Sequence, residues 1–290
     1  MSSSMALGID IGGSHITAAV VNLETRTIDT GSWKRTRVNS QGTPGEIIDA
    51  WAEVIEDAFR TAPVATWHIG IGMPGPFDYT EGISLMKDQH KYDALYNLNV
   101  KQLLAARLSL TPDHIRFIND AGCFLQGEVF SGAARNYQHV IGLTLGTGLG
   151  SAVYHGTLAE DANRWCAPFL DGIAEDYLST RWFIKRFHEL TGITVKDVKA
   201  LTELTTSGAH VQQVFDEFAR HLSAFLLTFI KDESPEAIVI GGNIANAAER
   251  FFPAVTRELE NNNIHIPLLQ AALSEQAAIL GAASLWKPEV

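Results

Sequence analysis

The stretch ALGIDIGGSHITAAVVN, residues 6–22, decides the fold. Runs of β-branched and small apolar residues, typical of strands, lie on both sides of Gly12 and Gly13. These glycines can adopt positive φ in a hairpin and leave no side chain over the backbone, so consecutive N–H groups can point at an anion. The stretch predicts a phosphate-binding turn made of Gly12, Gly13 and Ser14. Taken alone, an ordinary hairpin turn explains the glycines equally well.

A carboxylate, Asp10, stands directly before this turn. It would repel a phosphate unless a cation lay between them, so its position favours Mg²⁺ bound directly or through water. A local hydrogen-bond acceptor is the alternative role. The sequence contains neither GxxxxGK[ST] nor a GxGxxG after this strand, which excludes the strand-to-helix phosphate loops.

The second half of the chain repeats the layout in HVIGLTLGTGLGSAVYHGTLA, residues 139–159. Its turn offers Gly146, Thr147 and Gly148 to a phosphate in the same way. A duplicated strand–glycine–strand unit predicts two similar domains, with the phosphates held in a cleft between them.

A third glycine motif, IGGNIAN at residues 240–246, ends a predicted strand and opens a predicted helix. Backbone at such a position can approach a nucleotide, so Gly241 and Gly242 are predicted to contact an adenosine and its α-phosphate. Simple packing of a helix on a strand explains this motif equally well when it is taken alone.

Hydrophobic periodicity predicts the other main elements. Helices are predicted at residues 43–60, 175–190, roughly 209–231, 243–260 and 274–286, and strands at 28–38 and 236–242. The longest apolar run, residues 222–230, is far shorter than the roughly 20 residues of a membrane span, so it is predicted to lie in a buried helix.

The composition narrows the class of protein. The 290 residues carry 33 acidic and 22 basic side chains, a net charge of −11, which argues against nucleic-acid binding. The only cysteines, Cys123 and Cys166, form no CxxC pair, and no export signal or membrane span is found, so a cytoplasmic location is expected. No low-complexity linker divides the chain. We expect a first domain at residues 5–118 plus 275–290 and a second at 119–274.

Further motifs follow one another in a specific order: GIGMPGP at 70–76, INDAGCFLQGE at 118–128, LTLGTGLG at 143–150, AEDYLS at 174–179, SPEAIVIGGNI at 234–244 and AAILGAA at 277–283. With GIDIGGSHI near the start, they resemble the ROK family of sugar kinases, over about Gly8 to Ala283. The resemblance implies an α/β protein with the two-domain actin-like ATPase fold, related to ribonuclease H, in which duplicated mixed-sheet domains flank a cleft. It also implies ATP and Mg²⁺ as cofactors.

The resemblance assigns roles to individual residues. The Asp of the NDA string, here Asp120, would be the catalytic base that accepts the proton of a sugar hydroxyl as it attacks the γ-phosphorus. A carboxylate at a strand end followed by small residues suits that role, and capping of the next helix is the alternative. Asn119 and Glu175 would contact the sugar, with a surface helix residue as the alternative for Glu175. Gly75 and Pro76 would shape a loop beside the sugar.

The sequence departs from the family at the zinc segment. Many members have ExGH followed by CxCGxxGC, but here Cys166 is the only cysteine of that stretch, so no zinc site is expected and Cys166 is predicted to be a small buried group. The family's GGTK is GGSH, which makes His15 either a phosphate neighbour or a turn residue. The segment KDQHKYDALYN at 87–97 also diverges. Lys87, His90 and Lys91 there could favour an acidic or phosphorylated sugar, or the segment could be a solvated loop.

The resemblance implies a cytoplasmic, ATP-dependent kinase, a transferase that phosphorylates a hexose or N-acetylhexosamine hydroxyl and forms a homodimer, without nucleic-acid or membrane partners. Trp182, Phe183 and Phe187 could form a dimer contact or belong to the core. A sugar-sensing protein with weak catalysis and a phosphatase of the same fold are the alternatives. The sequence does not distinguish glucose from an N-acetylhexosamine.

Overall fold

The computed structural model describes residues 4–62, 64, 66–204 and 208–287. The chain forms two compact units. The first contains residues up to Arg135 and those from Glu275 onward, and the second is Asn136–Ser274. The helix that follows the predicted boundary at 118 packs against the last helix of the chain, so the first unit extends past that boundary to Arg135.

The strands of the described residues are β1 (Met5–Ile11), β2 (His15–Asn22), β3 (Thr27–Ile28), β4 (Lys34–Arg37), β5 (Ile69–Met73), β6 (Phe77–Asp78), β7 (Ile83–Ser84), β8 (Ile115–Asn119), β9 (His139–Leu145), β10 (Leu149–His155), β11 (Ala159–Asp161), β12 (Pro168–Phe169), β13 (Gly172–Ile173), β14 (Ala237–Gly241) and β15 (Leu268–Gln270). The α-helices are α1 (Pro44–Thr61), α2 (Val100–Arg107), α3 (Asp120–Phe130), α4 (Ala174–Tyr177), α5 (Thr180–Thr191), α6 (Val198–Thr202), α7 (Gly208–Glu233), α8 (Phe252–Asn261) and α9 (Gln276–Ser284). Short 3₁₀ helices span Thr30–Ser32, Asp93–Leu95, Pro112–His114 and Asn243–Arg250.

The main sheet of the first unit has the order β3-β2-β1-β5-β8, with β4 also paired to β2. β1 and β2 are antiparallel, whereas β5 and β8 run parallel to β1. Helix α1 begins at a capping box of Thr43 and Glu46 and buries an apolar face that includes Trp51. The sheet places the ends of β1, β5 and β8, with Asp10, Met73 and Asn119, on neighbouring strands.

Helix α9 packs unusually close to the sheet of the first unit. A Cβ added at Gly8 would collide with the carbonyl oxygen of Ile279, and one at Gly70 with that of Ala282. Both glycines lie in strand interiors, where glycine otherwise weakens a strand. They are therefore required by the contact with α9, and the matching AAILGAA motif at 277–283 is a packing motif in this structure.

The second unit repeats this topology with the order β11-β10-β9-β14-β15. Its hairpin β9–β10 is antiparallel, and β14 and β15 run parallel to β9. Long helix α7 supplies much of the core through a row of phenylalanines. The predicted α/β class with duplicated mixed-sheet domains is confirmed.

Several predicted elements are interrupted. The strand predicted at 28–38 is broken into β3 and β4 by a 3₁₀ turn, the helix at 175–190 is broken at Leu178–Ser179, and the helix at 243–260 is a 3₁₀ helix followed by α8. The predicted dimer residues Trp182, Phe183 and Phe187 are buried in the core of the second unit, which corresponds to the alternative assignment. In the described parts of the chain, no helix is long and apolar enough to cross a lipid bilayer.

Candidate functional site

Three hydrogen bonds hold the turn between β1 and β2, while two of its backbone N–H donors stay open. The Gly12 N–H donates to the His15 carbonyl at 2.9 Å, Val38 N–H donates to the Ser14 carbonyl at 3.0 Å, and the Tyr92 hydroxyl donates to the Gly12 carbonyl at 2.7 Å. Within the described residues, the N–H groups of Gly13 and Ser14 have no hydrogen-bond acceptor. Both residues are exposed, so these donors are open to an anion.

The glycines of this turn are not required by its backbone. The expectation that Gly12 and Gly13 use positive φ is wrong, because neither has a φ in the left-handed region. A Cβ would also fit: the nearest atom would be 3.7 Å away at each position, the His15 carbonyl oxygen for Gly12 and Lys91 Cδ for Gly13. Among the described residues, no atom excludes a Cβ here, which favours the alternative reason for glycine, the close approach of a ligand.

The turn between β9 and β10 repeats this arrangement. The Gly146 N–H donates to the Gly148 carbonyl at 3.0 Å, and the Gly146 carbonyl accepts from Thr180 N–H at 2.8 Å. The N–H groups of Thr147 and Gly148 have no acceptor among the residues that the structure describes. A Cβ at Gly146 would meet no atom within 4 Å. The two predicted phosphate turns therefore share open N–H donors, and Gly146 has space for a Cβ as Gly12 and Gly13 do.

Glu175 lies against this second turn. Its Oε2 accepts from Leu149 N–H at 3.0 Å, and its Oε1 pairs with Arg181 Nη2 at 2.5 Å. A Cβ at Gly148 would come within 2.5 Å of Oε2, so that glycine makes room for the carboxylate. Glu175 thus orders the Gly146–Gly148 turn, a role that the sequence analysis missed, and its contact with a sugar stays a prediction.

The third glycine motif is packed tightly against the same turn. Gly242 has φ +86° and lies so near the backbone of Leu145 that a Cβ would collide with it. Gly241 pairs with Thr144 in the sheet, and a 3₁₀ helix instead of an α-helix follows at Asn243. Packing therefore accounts for Gly242, and a contact of Gly241 and Gly242 with adenosine remains a prediction.

Asn119 and Asp120 lie at the end of β8, where α3 begins. Asn119 is the N-cap: its Oδ1 accepts from Ala121 N–H at 2.8 Å and from Gly122 N–H at 3.2 Å. The capping role considered for Asp120 thus belongs mainly to Asn119, although Asp120 Oδ1 also accepts from Ala121 N–H at 2.9 Å. Asp120 is exposed, which lets its carboxylate reach a substrate.

Asp10 faces the charge of Asp120. Burial, followed by the negative charge of Asp120, raises the pKa of Asp10 from 3.8 to about 6, while Arg35 lowers it and Glu275 raises it. A divalent cation at Asp10 would relieve this accumulation of negative charge, so the residue fits the predicted Mg²⁺. No group of three or more His, Cys, Asp and Glu side chains with metal-binding geometry occurs among the described residues.

The loop after β5 contains Gly75 and Pro76, joined by a cis peptide bond. Tyr79 supports this loop: its hydroxyl donates to the Met73 carbonyl at 3.0 Å and would lie 3.1 Å from a Cβ at Gly75. The same hydroxyl accepts from Asn119 Nδ2 at 3.1 Å. Tyr79 therefore connects the loop to Asn119. Only its position shortly after the PGP string could have indicated this.

The segment at 87–97 is not a fully solvated loop. Tyr92 is completely buried, its ring lies 5.3 Å from that of Trp51 in an edge-on arrangement, and its hydroxyl reaches Gly12. In the sequence, an aromatic residue among charged ones at position 92 could have indicated that Tyr92 is buried and anchors the segment. The prediction that Cys166 is buried is also wrong, because Cys166 is exposed, whereas Cys123 is buried and donates to the Ala278 carbonyl at 2.9 Å.

Comparison with known families agrees with this architecture. The sequence model of the ROK family matches residues 6–160 and 155–289. The chain belongs to the ROK family. It is similar to a glucokinase of Thermotoga maritima, 27% identical over 98% of each chain, and to an N-acetyl-D-glucosamine kinase of Salmonella newport, 28% identical over 88% of each.

A solved structure of similar fold is a ROK family glucokinase of Streptomyces griseus in complex with glucose and AMPPNP, with a TM-score of 0.74 and 24% identity, covering 97% of this chain and 98% of that one. This likeness shows the fold, which is the two-domain actin-like ATPase fold of ROK proteins. The family resemblance found in the sequence is therefore confirmed.

Proposed function

We propose that this ROK protein is a kinase that transfers the γ-phosphate of ATP to a hydroxyl of a hexose or N-acetylhexosamine. The proposal rests chiefly on one observation in the first unit: Asp10 lies at the end of β1, directly before a turn whose Gly13 and Ser14 N–H groups have no acceptor among the described residues. The charge of Asp120 also raises the pKa of Asp10. A carboxylate beside a phosphate-binding turn is the arrangement that hydroxyl-to-phosphate transfer requires. The matched glucokinase and N-acetylglucosamine kinase support the substrate class.

In the proposed reaction, the Asp120 carboxylate accepts the proton of the sugar hydroxyl. The hydroxyl oxygen forms a bond to the γ-phosphorus while the bond from that phosphorus to the β,γ-bridging oxygen breaks, and ADP leaves with the electron pair. N–H groups of both glycine turns hold phosphate oxygens in place throughout. Because the transition state is loose, such positioning supplies most of the acceleration, and the base adds about 10²–10⁴-fold.

Further roles of the site residues are part of the proposal. Asn119 and Glu175 contact the sugar, Gly75 and Pro76 shape its loop, and Gly241 and Gly242 lie beside the nucleotide. Asp10 holds Mg²⁺, directly or through water, and the ion supplies charge neutralisation for the phosphates when it is bound. We also propose that the protein forms a homodimer and acts in the cytoplasm. Its domains would correspond closely to the two compact units.

A substrate panel tests this function. Purified protein is incubated with ATP and Mg²⁺ and, in turn, with glucose, mannose, N-acetylglucosamine, N-acetylmannosamine and N-acetylgalactosamine, and ADP release is measured. We expect release that depends on one of these sugars. ADP release without any sugar would instead indicate a phosphatase, and sugar binding without release would indicate a sensor. Either result would contradict the proposed kinase.

A further inference from the structure

The segment at residues 87–93 is fastened to the first glycine turn. Tyr92 is the anchor, because its hydroxyl donates to the Gly12 carbonyl at 2.7 Å and its N–H donates to the Ser40 carbonyl at 2.7 Å. Burial of the ring next to Trp51 makes this contact part of the core of the first unit. The segment therefore cannot leave the turn without exposing a large aromatic side chain.

The backbone on both sides of Lys91 is fixed as well. The Asp93 carboxylate accepts from Gln89 N–H and from His90 N–H, each at 3.0 Å. His90 and Tyr92 both adopt left-handed φ values of 58°, so the chain reverses sharply around Lys91. The direction of the Lys91 Cα–Cβ bond is therefore fixed by the backbone.

The Lys91 side chain points over the glycine turn. Its Cδ lies 3.7 Å from the position that a Cβ would take at Gly13, and the ammonium follows Cδ by two bonds. Within the described residues, this ammonium has no ion pair and no hydrogen bond. By contrast, Lys101 donates to the Thr80 carbonyl at 2.6 Å, and Lys87 lies over the Tyr96 ring at 5.6 Å.

Two other basic groups near the turn, Arg35 and His15, have partners of their own. Arg35, which lowers the pKa of Asp10, pairs with Glu275 at 3.1 Å. His15 Nδ1 is within 2.9 Å of the Ser14 hydroxyl. The Lys91 charge is therefore left for a ligand, and its side chain lies beside Gly13, whose N–H has no acceptor among the described residues.

We propose that Lys91 binds the terminal phosphate of the phosphoryl donor, together with the N–H groups of Gly13 and Ser14. The proposal rests on the proposed kinase function, which places Asp120 as the base in the same unit and hence the transferring phosphate at this turn. A lysine ammonium is a compact charge that neutralises phosphate oxygens, and it complements backbone N–H donors there.

Calorimetric titration with ATP and with ADP, each with Mg²⁺ and without sugar, tests the assignment. Lys91→Met should weaken ATP binding about tenfold or more, as expected for a lost charge-assisted hydrogen bond, and change ADP binding less than about twofold. Lys91→Arg should restore most of the ATP affinity. Lys87→Met, in the same segment but with its ammonium over Tyr96, is the matched control and should bind both nucleotides normally. Thermal unfolding verifies that each variant folds.

Several outcomes would overturn the assignment. Unchanged ATP binding by Lys91→Met, or equal loss of ATP and ADP, would remove Lys91 from the terminal phosphate. A higher KM for the sugar with unchanged ATP affinity would assign Lys91 to an acidic or phosphorylated sugar instead. The ATP and ADP affinities can be measured without turnover: wild-type protein that binds ATP but phosphorylates no sugar contradicts only the proposed kinase, whereas protein that binds no ATP contradicts both proposals.

Discussion

The side-chain amide of Asn119 donates to the Tyr79 hydroxyl at 3.1 Å, and that hydroxyl donates to the Met73 carbonyl at 3.0 Å. Through this pair, the N-cap of α3 and the Gly75–Pro76 loop are held in one arrangement. The side-chain oxygen Oδ1 of Asn119 accepts hydrogen bonds from the N–H groups of Ala121 and Gly122. Tyr79 therefore fixes the remaining polar atom of the side chain, Nδ2.

Tyr79→Phe removes the hydroxyl that joins Asn119 to the Met73 carbonyl and keeps the aromatic ring. The lost hydrogen bond is worth about 1 kcal/mol, so we expect the KM for the sugar to rise about fivefold, with kcat and the KM for ATP nearly unchanged. Steady-state kinetics with each substrate varied in turn measures this split. Tyr96→Phe, at an exposed tyrosine, is the control. A sugar KM equal to that of the wild type would show that Tyr79 does not position Asn119.

Asp120→Asn keeps the size of the side chain and removes the base. Turnover should fall at least about a hundredfold, while sugar binding and thermal unfolding stay close to wild type. Asp113→Asn, at an exposed aspartate of the 3₁₀ helix before β8, should leave turnover unchanged. Near-normal turnover of Asp120→Asn would exclude it as the base.

Gly13→Ala and Gly146→Ala test whether a ligand explains the glycines of the turns. Each Cβ fits into free space, so the melting temperature should stay within a few degrees of wild type, but ATP affinity should fall about tenfold because the methyl group blocks the backbone. Gly70→Ala is the contrasting control: its collision with the Ala282 carbonyl should destabilise the fold by about 3 kcal/mol or more. Normal ATP binding by both turn variants would make the glycines incidental.

Gly242→Ala and Gly192→Ala compare two glycines with positive φ, +86° and +71°. Gly192 ends α5 in open space, so its substitution should cost only the left-handed strain of about 1–2 kcal/mol. Gly242→Ala adds a clash with the Leu145 backbone and should cost at least about 2 kcal/mol more. Urea unfolding measures both free energies. Equal losses would mean that β9 and β14 can separate to admit a methyl group.

His221 should make the second unit sensitive to acid. It lies among the rings of Phe169, Tyr177 and Trp182, and its buried Nδ1 has no partner among the described residues. Burial lowers its pKa below 6.5; Arg220 and Arg186 also lower it, and Glu217 raises it.

The sign of this effect follows from the proton count. Below pH 6.5, His221 becomes protonated in the unfolded chain but stays neutral in the folded protein, because its pKa is lower there. The free energy of unfolding therefore decreases as the pH falls. His221→Leu should reduce that decrease by up to about 1.4 kcal/mol per pH unit. Urea unfolding between about pH 7 and pH 5 measures it, with exposed His188→Leu as the control. An unaltered pH dependence in His221→Leu would contradict the prediction.

The sequence predicted what depends on local pattern. Periodicity and glycine placement predict the duplicated hairpins and the long helix α7. They also predict that Asp10 and Asp120 lie at the ends of β1 and β8. Breaks in elements were missed where tertiary contacts override the pattern: near Ser179 the helical run stops at the point where Thr180 N–H bonds to Gly146. The contacts of Glu175 and Tyr79 were also missed, because each joins residues far apart or on different elements of the chain.

The close packing of α9 on Gly8 and Gly70 has a consequence for biosynthesis. The N-terminal half of the chain emerges from the ribosome long before Gln276–Ser284, so its sheet stays without this helix while the contiguous second unit is already being translated. The unit that begins first is thus completed last. Premature termination just before α9 would therefore leave a full second unit beside an uncovered apolar sheet, which is a substrate for chaperones and proteases.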